Sequence, residues 1–236
     1  MTPAGRLLVV TLLALLVAAG AQPPQSTSTT STSSSFKRSF TNPLGNETFF
    51  VLAECHDTGG EYTYLEVIAP ADTVLPFHHH PNYDELMEVM NGEFHTTIDG
   101  VNRTYYTGES FVFPLGVQHK WWTPPAKGAT VRIKLEPCFD GFHESIEIFS
   151  QLPEEMRKEI WVSAVLYMIG GTLIDDGPWY ARLLFWVLRK LAQLNKGKKM
   201  EQELRQTYIG QNDEHPSATT KAAEEGVGGG ADELWG

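Results

Sequence analysis

Between residues 48 and 148, short apolar stretches alternate with polar positions at every second residue, the period of a strand with one buried face. Segments 48–55, 62–68, 86–90, 94–98, 110–113, 119–123, 130–135 and 143–148 are rich in β-branched or aromatic residues, and Gly, Pro or Asn divides them. Short strands at this spacing predict a mainly β domain, a sandwich or a closed barrel. After Leu152 the period lengthens. Pro153-Glu154-Glu155 opens a helix, with Pro in the first turn and acids near the positive end of the dipole. That helix is expected to reach about Ile169 and stop at Gly170-Gly171. A second is expected from near Pro178 through Leu194, ending in Lys196-Gly197-Lys198-Lys199.

The ends of the chain read differently. Arg6 precedes an apolar run over residues 7–19, and Ala19-Gly20-Ala21 offers a small-residue cleavage site, the pattern of a secretory leader. The run is shorter than the ~20 residues a membrane-spanning helix needs. Residues 22–35 are almost entirely Pro, Gln, Ser and Thr, which cannot bury apolar area. The expected plan is a leader over 1–21, a flexible linker over 22–43, a barrel over 44–150, a helical extension over 151–200 and a polar tail over 201–236. Asn46-Glu47-Thr48 and Asn102-Arg103-Thr104 are N-glycosylation triplets, and the second follows the hairpin signal Asp99-Gly100, which places Asn102 on an exposed loop.

Composition narrows the partners. Acidic residues outnumber basic ones 29 to 18, for a formal charge of −11. Phosphate neutralisation needs clustered Lys and Arg, so a nucleic acid is excluded as the main partner. Two cysteines, Cys55 and Cys138, are too few for a disulfide-dense scaffold or a Cys-based zinc site. In an oxidising compartment they can pair, or they can remain buried thiols.

The chemistry concentrates in His78-His79-His80-Pro81-Asn82-Tyr83-Asp84-Glu85 and, further on, Pro114-Leu115-Gly116 and His119. Residues two apart on a strand face the same way, so His78 and His80 aim together while His79 turns outward. Pro81-Asn82 supplies a turn, which lets Glu85 re-enter from the next strand and meet the histidines. His119 arrives from a separate strand. Three imidazoles and one carboxylate inside a β-barrel make a first-row transition-metal site. His56, His95, His143 and His215 fit no ligand spacing and read as surface or turn residues.

These residues resemble both signature motifs of the cupin superfamily. His78-x-His80, four residues, Glu85, six residues and Gly92 follow the first motif, although no glycine stands at its opening position. Gly108, Pro114, Gly116 and His119 follow the second, with Thr123 where the family has Asn. The resemblance implies a single-domain cupin: a double-stranded β-helix barrel of the jelly-roll type, holding one divalent metal on His78, His80, Glu85 and His119. The helices lie outside it. Three His and one Glu leave two adjacent positions on an octahedral ion, suiting Fe, Mn, Ni, Co or Cu, whereas tetrahedral zinc would have none open.

Strand parity lines the expected pocket with Trp121 and Thr123 beyond His119, Met87 beyond Glu85, and Phe94 across the Gly92 turn, with Tyr83 beside the ligand turn. An apolar, aromatic lining suits a small organic, even aromatic, substrate. The resemblance then implies a metal-dependent oxygenase of the dioxygenase type, with Glu85 as catalytic proton acceptor. A metal-dependent isomerase or lyase and a non-catalytic, germin-like binding or storage protein are the alternatives. The apolar stripe Trp179, Leu183, Trp186, Val187, Leu191 and Leu194 is expected to pack on the barrel, on the preceding helix or on a second copy in a homodimer. A membrane surface is the rival occupant. The leader carries its own test: N-terminal sequencing of protein recovered from a secreting host should begin near Gln22, and Met1 or Thr2 on membrane-bound protein would refute cleavage.

Overall fold

The computed structural model describes residues 36–176 and 178–209. The leader, most of the linker, His215 and the tail beyond residue 209 lie outside the described residues. Two antiparallel sheets face each other. The first has the order β1 (Arg38–Thr41), β2 (Thr48–Ala53), β3 (Thr63–Ala69), β10 (Ala129–Glu136), β5 (Asp84–Asn91) and β8 (Ser110–Phe113). The second runs β11 (Leu173–Ile174), β4 (Val74–His79), β9 (His119–Trp122), β6 (Glu93–Ile98) and β7 (Val101–Tyr106). Strand order jumps along the chain within each sheet, which makes the pair a jelly-roll barrel.

Alternation works as the sequence predicts where one strand face is buried. Glu85, Met87 and Val89 are buried on β5 while their neighbours are partly exposed. Val67, Phe94, Phe111, Phe113, Val131 and Ile133 join Met87 and Val89 in one core between the sheets. Two turns depend on their glycines. Asp99 and Gly100 both have positive φ, 48° and 76°, matching a tight hairpin between β6 and β7. Gly92 has φ +98°, and a side chain there would put its Cβ 2.5 Å from the Gly128 carbonyl oxygen.

Five expectations are corrected. Residues 143–148 are not a strand but lie within helix α1 (Gly141–Gln151). Ser145 to Ile148 alternates like a strand, yet Phe142, Ile146 and Phe149 share one helical face that packs against buried apolar clusters. The helix expected over 153–169 breaks into α2 (Glu154–Arg157) and α3 (Ile160–Ile169), with Glu159 extended between them. The 22–43 linker gives way to β1, and the basic segment after α4 (Trp179–Ala192) opens α5 (Asn195–Tyr208), so helix replaces tail over 201–208. Asn102 sits on β7 rather than in a loop and accepts a hydrogen bond from the Thr97 hydroxyl.

The helices form a second small core of Ile148, Leu152, Val162, Val165, Leu166, Ile169, Ala192 and Leu204. An ionic seam and a covalent bridge join it to the barrel. Arg38 on β1 donates to Glu147 of α1 at 2.9 Å and to Glu54 at 2.7 Å, with the Glu147 side chain only 3 % exposed. Burial opposes the Arg38 charge, but the two carboxylates outweigh it and hold its pKa above the ordinary value. His143 is buried against this seam, 3.6 Å from Glu54 and 3.7 Å from Asp140, so its reading as a surface or turn residue is corrected as well.

Cys55 and Cys138 form a disulfide with Cα atoms 5.4 Å apart, linking the end of β2 to the approach to α1. The bridge closes a loop of sequence separation 83 and so constrains the unfolded chain strongly. Replacing Cys55 and Cys138 together by Ser should lower unfolding stability by ~2–4 kcal/mol in denaturant titrations, with the native fold retained by circular dichroism.

Candidate metal centre

The two sheets contribute opposite halves of the site. His78 on β4 stands in register with His119 on β9, both in the five-stranded sheet. Glu85 on β5 faces them from the six-stranded sheet, in register with Phe113 on β8. His80 follows β4 directly and completes the set. Each histidine offers a ring nitrogen within 4.8 Å of the other two. Glu85 Oε2 lies 3.5 Å from His80 Nε2 and 3.7 Å from His119 Nε2. All four side chains are buried. His79 points to the other face of β4, where its Nδ1 meets Asp175 at 2.7 Å.

Hydrogen bonds set the tautomers. His78 Nδ1 is 2.7 Å from the Pro76 carbonyl and His119 Nδ1 is 2.9 Å from the Val117 carbonyl. A carbonyl only accepts, so both Nδ1 atoms carry the proton and both Nε2 atoms present a lone pair. Tyr83 does the same for His80. Its hydroxyl lies 2.8 Å from His80 Nδ1 and donates to the Gly170 carbonyl at 3.3 Å, so it accepts from the ring. Burial and then the Glu85 charge hold the Tyr83 phenol well above its usual pKa, so it stays protonated.

The Nε2 atoms of His80 and His119 are buried without a hydrogen-bond partner among the described residues. Such groups are costly to leave unmatched. Burial lowers the pKa of His78 well below the ordinary value, with His119 and His80 adding to the effect, and burial also lowers that of His119. Neutral imidazoles with oriented lone pairs beside a carboxylate are the donor set a divalent first-row metal takes. The residues fit the group. Glu54, His56 and Asp57 also bring donors together, but Lys37 already sits 3.0 Å from Glu54 and 2.6 Å from Asp57.

The interior beyond the histidines is aromatic. Phe113 stacks on His119 at 4.1 Å, Phe111 packs on Phe113, and Phe94 lies between Phe111 and Trp121. Met87 and Phe94 are buried in this wall and Trp121 is partly buried against it. Thr123 is placed otherwise: its hydroxyl donates to the Pro70 carbonyl at 2.6 Å and accepts from the Thr73 N–H at 3.0 Å, tying a loop. Tyr83 likewise spends its hydroxyl inside the protein. The helical extension reaches the site through Gly170, through Phe142 at 5.9 Å from the His80 ring, and through Phe139 at 5.1 Å from Tyr83. No sequence signal connects these residues to the histidines; the contacts arise only when the helices fold back.

Residues 64–131, from β3 into β10 and including all four motif side chains, match the family described as Cupin domain. The barrel is a cupin domain. Among solved structures, an RmlC-like cupin from Shewanella frigidimarina is 22% identical, aligning over 44% of this chain and 86% of its own with a TM-score of 0.39. KdgF from a Halomonas species is 18% identical over 43% of this chain and 89% of its own, TM-score 0.38. The polyketide cyclase RemF from Streptomyces resistomycificus is 18% identical over 38% and 64%, TM-score 0.35. At these scores the likenesses lend this chain no activity. No curated protein matches the chain.

Replacing His80 or His119 by Ala should abolish stoichiometric metal binding measured by elemental analysis, whereas His79→Ala, altered on the opposite strand face, should retain it. Tyr83→Phe keeps every ligand but frees the His80 ring. It should weaken metal affinity by roughly 10–100-fold in competition titrations.

Proposed function

We propose that the protein is a metal-dependent oxygenase of the dioxygenase type, acting on a small, apolar or aromatic organic molecule. The observation that carries this reading is the pair of buried, unpartnered Nε2 atoms of His80 and His119 beside Glu85, backed by an aromatic wall. A divalent ion of Fe, Mn, Ni, Co or Cu held by His78, His80, Glu85 and His119 would supply Lewis acidity and redox capacity. The chain's own groups do the rest. Tyr83 and the Pro76 and Val117 carbonyls hold the three rings in the tautomer that points Nε2 inward. Among the described residues Glu85 is the acidic side chain that faces the three histidines, and its carboxylate would be the acceptor for a substrate proton. Phe94, Phe111, Phe113 and Trp121 keep water out and favour a flat, apolar substrate.

The same reading sends the chain through the secretory route. Support comes from the leader pattern over residues 1–21 and from the Cys55–Cys138 bridge, which suits an oxidising compartment. Both sequon asparagines, Asn46 and Asn102, are exposed to a glycosylating enzyme on that route.

Metal-loaded protein should consume oxygen with members of a panel of small phenolics, read on an oxygen electrode, and lose that activity in Glu85→Gln. Substrate turnover without oxygen uptake would assign an isomerase or lyase. Bound metal with no turnover across the panel would leave a binding or storage role.

A further inference from the structure

Helix α4 meets the rest of the protein along one side only. Phe185 packs edge-on against Tyr167 of α3 at 5.6 Å, and Ala192 is buried in the helical core. Leu188 lies on the same side by helical spacing. The opposite side carries Trp179, Tyr180, Leu183, Trp186 and Leu191, followed by Leu194 at the turn into α5, all exposed, with Trp179 at 74 %. A continuous patch of this size is beyond the scattered apolar exposure a monomer surface normally shows.

Charge identifies the occupant. The stretch 179–199 contains Arg182, Arg189, Lys190, Lys196, Lys198 and Lys199, a third of the chain's 18 cations, and none of its 29 acidic residues. Lys190 rises from within the apolar arc, its Nζ 6.0 Å from the Trp186 ring, so its stem covers apolar surface while its charge reaches outward. A groove of about 390 Å³ runs along one edge of the arc, bounded by Tyr167, Leu173, Trp179, Arg182, Trp186 and Arg189. Within it the Arg189 Nε is buried with no hydrogen-bond partner among the described residues. It awaits an anion. Arg182 and Lys199 each lie 3.7 Å from a carboxylate just outside the stretch, Asp175 and Glu203, and symmetric pairing with a second copy would set the other four cations against one another.

We propose that α4, together with residues 194–199 at the start of α5, docks on an anionic lipid surface. It lies in the plane of the headgroups, with its tryptophans and leucines among the upper acyl chains and its Lys and Arg side chains at the phosphates. No helix among the described residues is long and apolar enough to cross a membrane, so the contact is an in-plane one. The proposal stands independently of the metal chemistry.

Full-length protein is tested by co-sedimentation with vesicles of phosphatidylcholine alone and of phosphatidylcholine with phosphatidylserine, reading binding and the blue shift of tryptophan fluorescence. Binding should require phosphatidylserine and fall with salt. It should weaken by about tenfold or more in Trp179→Gln/Leu183→Gln/Leu194→Gln and likewise in Lys196→Gln/Lys198→Gln/Lys199→Gln. All six positions are exposed, and circular dichroism checks that both variants fold. Should the apolar variant misfold, the lysine variant decides alone. Equal binding to both vesicle types, or binding that survives both substitution sets because the apolar run over 7–19 drives it, overturns the proposal. So does lipid-free dimerisation in analytical ultracentrifugation, abolished by the apolar variant, with no vesicle binding.

Discussion

Three imidazoles buried at one point set the terms for the rest of this structure. Each ring has two nitrogens, and a buried nitrogen without a partner is costly. The protein resolves half of this internally, by giving every Nδ1 a fixed acceptor: the Pro76 carbonyl, the Val117 carbonyl and the Tyr83 hydroxyl. The other half is left converging, with the Nε2 atoms of His80 and His119 facing Glu85. Two of the three acceptors are backbone groups two residues before the histidine they hold. The strand therefore orients its own ligand, and sheet register converts that into a common focus.

The third acceptor ties the site to the far end of the chain. Tyr83 can accept from His80 because its own proton is taken by the Gly170 carbonyl, at the end of α3. Phe139 and Phe142 wall the same corner. The helical extension thus supports the histidine cluster, and none of its described side chains joins that cluster. What secures the extension is the Arg38 seam to Glu54 and Glu147, together with the Cys55–Cys138 bridge beside Asp140, whose carboxylate accepts the Cys55 N–H at 3.0 Å. Removing one partner from a buried pair of this kind is far more damaging than never having it, because the other charge stays buried.

The molecule has two differently solvated faces. The barrel interior is aromatic and encloses the three buried imidazoles beside Glu85. On its outside, His79 and Asp175 open onto the groove beside α4, where aromatic and cationic groups mix. One strand, β4, separates the two, and the alternation of His78 and His79 along it assigns each imidazole to its side.

Local pattern by itself determined most of the barrel and which polar side chains meet inside it. The two-residue period placed seven of the eight expected strand segments, and the spacing of His78, His80, Glu85 and His119 foretold that these side chains converge. These features are legible because side-chain direction on a strand follows from residue number alone. Tertiary structure decided the rest. It made residues 143–148 helical, because the stripe of Phe142, Ile146 and Phe149 found apolar clusters to cover, and local alternation carries no information about such partners. It drew Arg38 out of an expected linker into a strand, since only the folded chain brings Glu147 within reach across 109 residues. It also turned Thr123 and Tyr83 inward on the backbone, and left one side of α4 bare. Periodicity reports that a residue has a buried face, but which surface covers that face depends on contacts between segments that are distant in sequence.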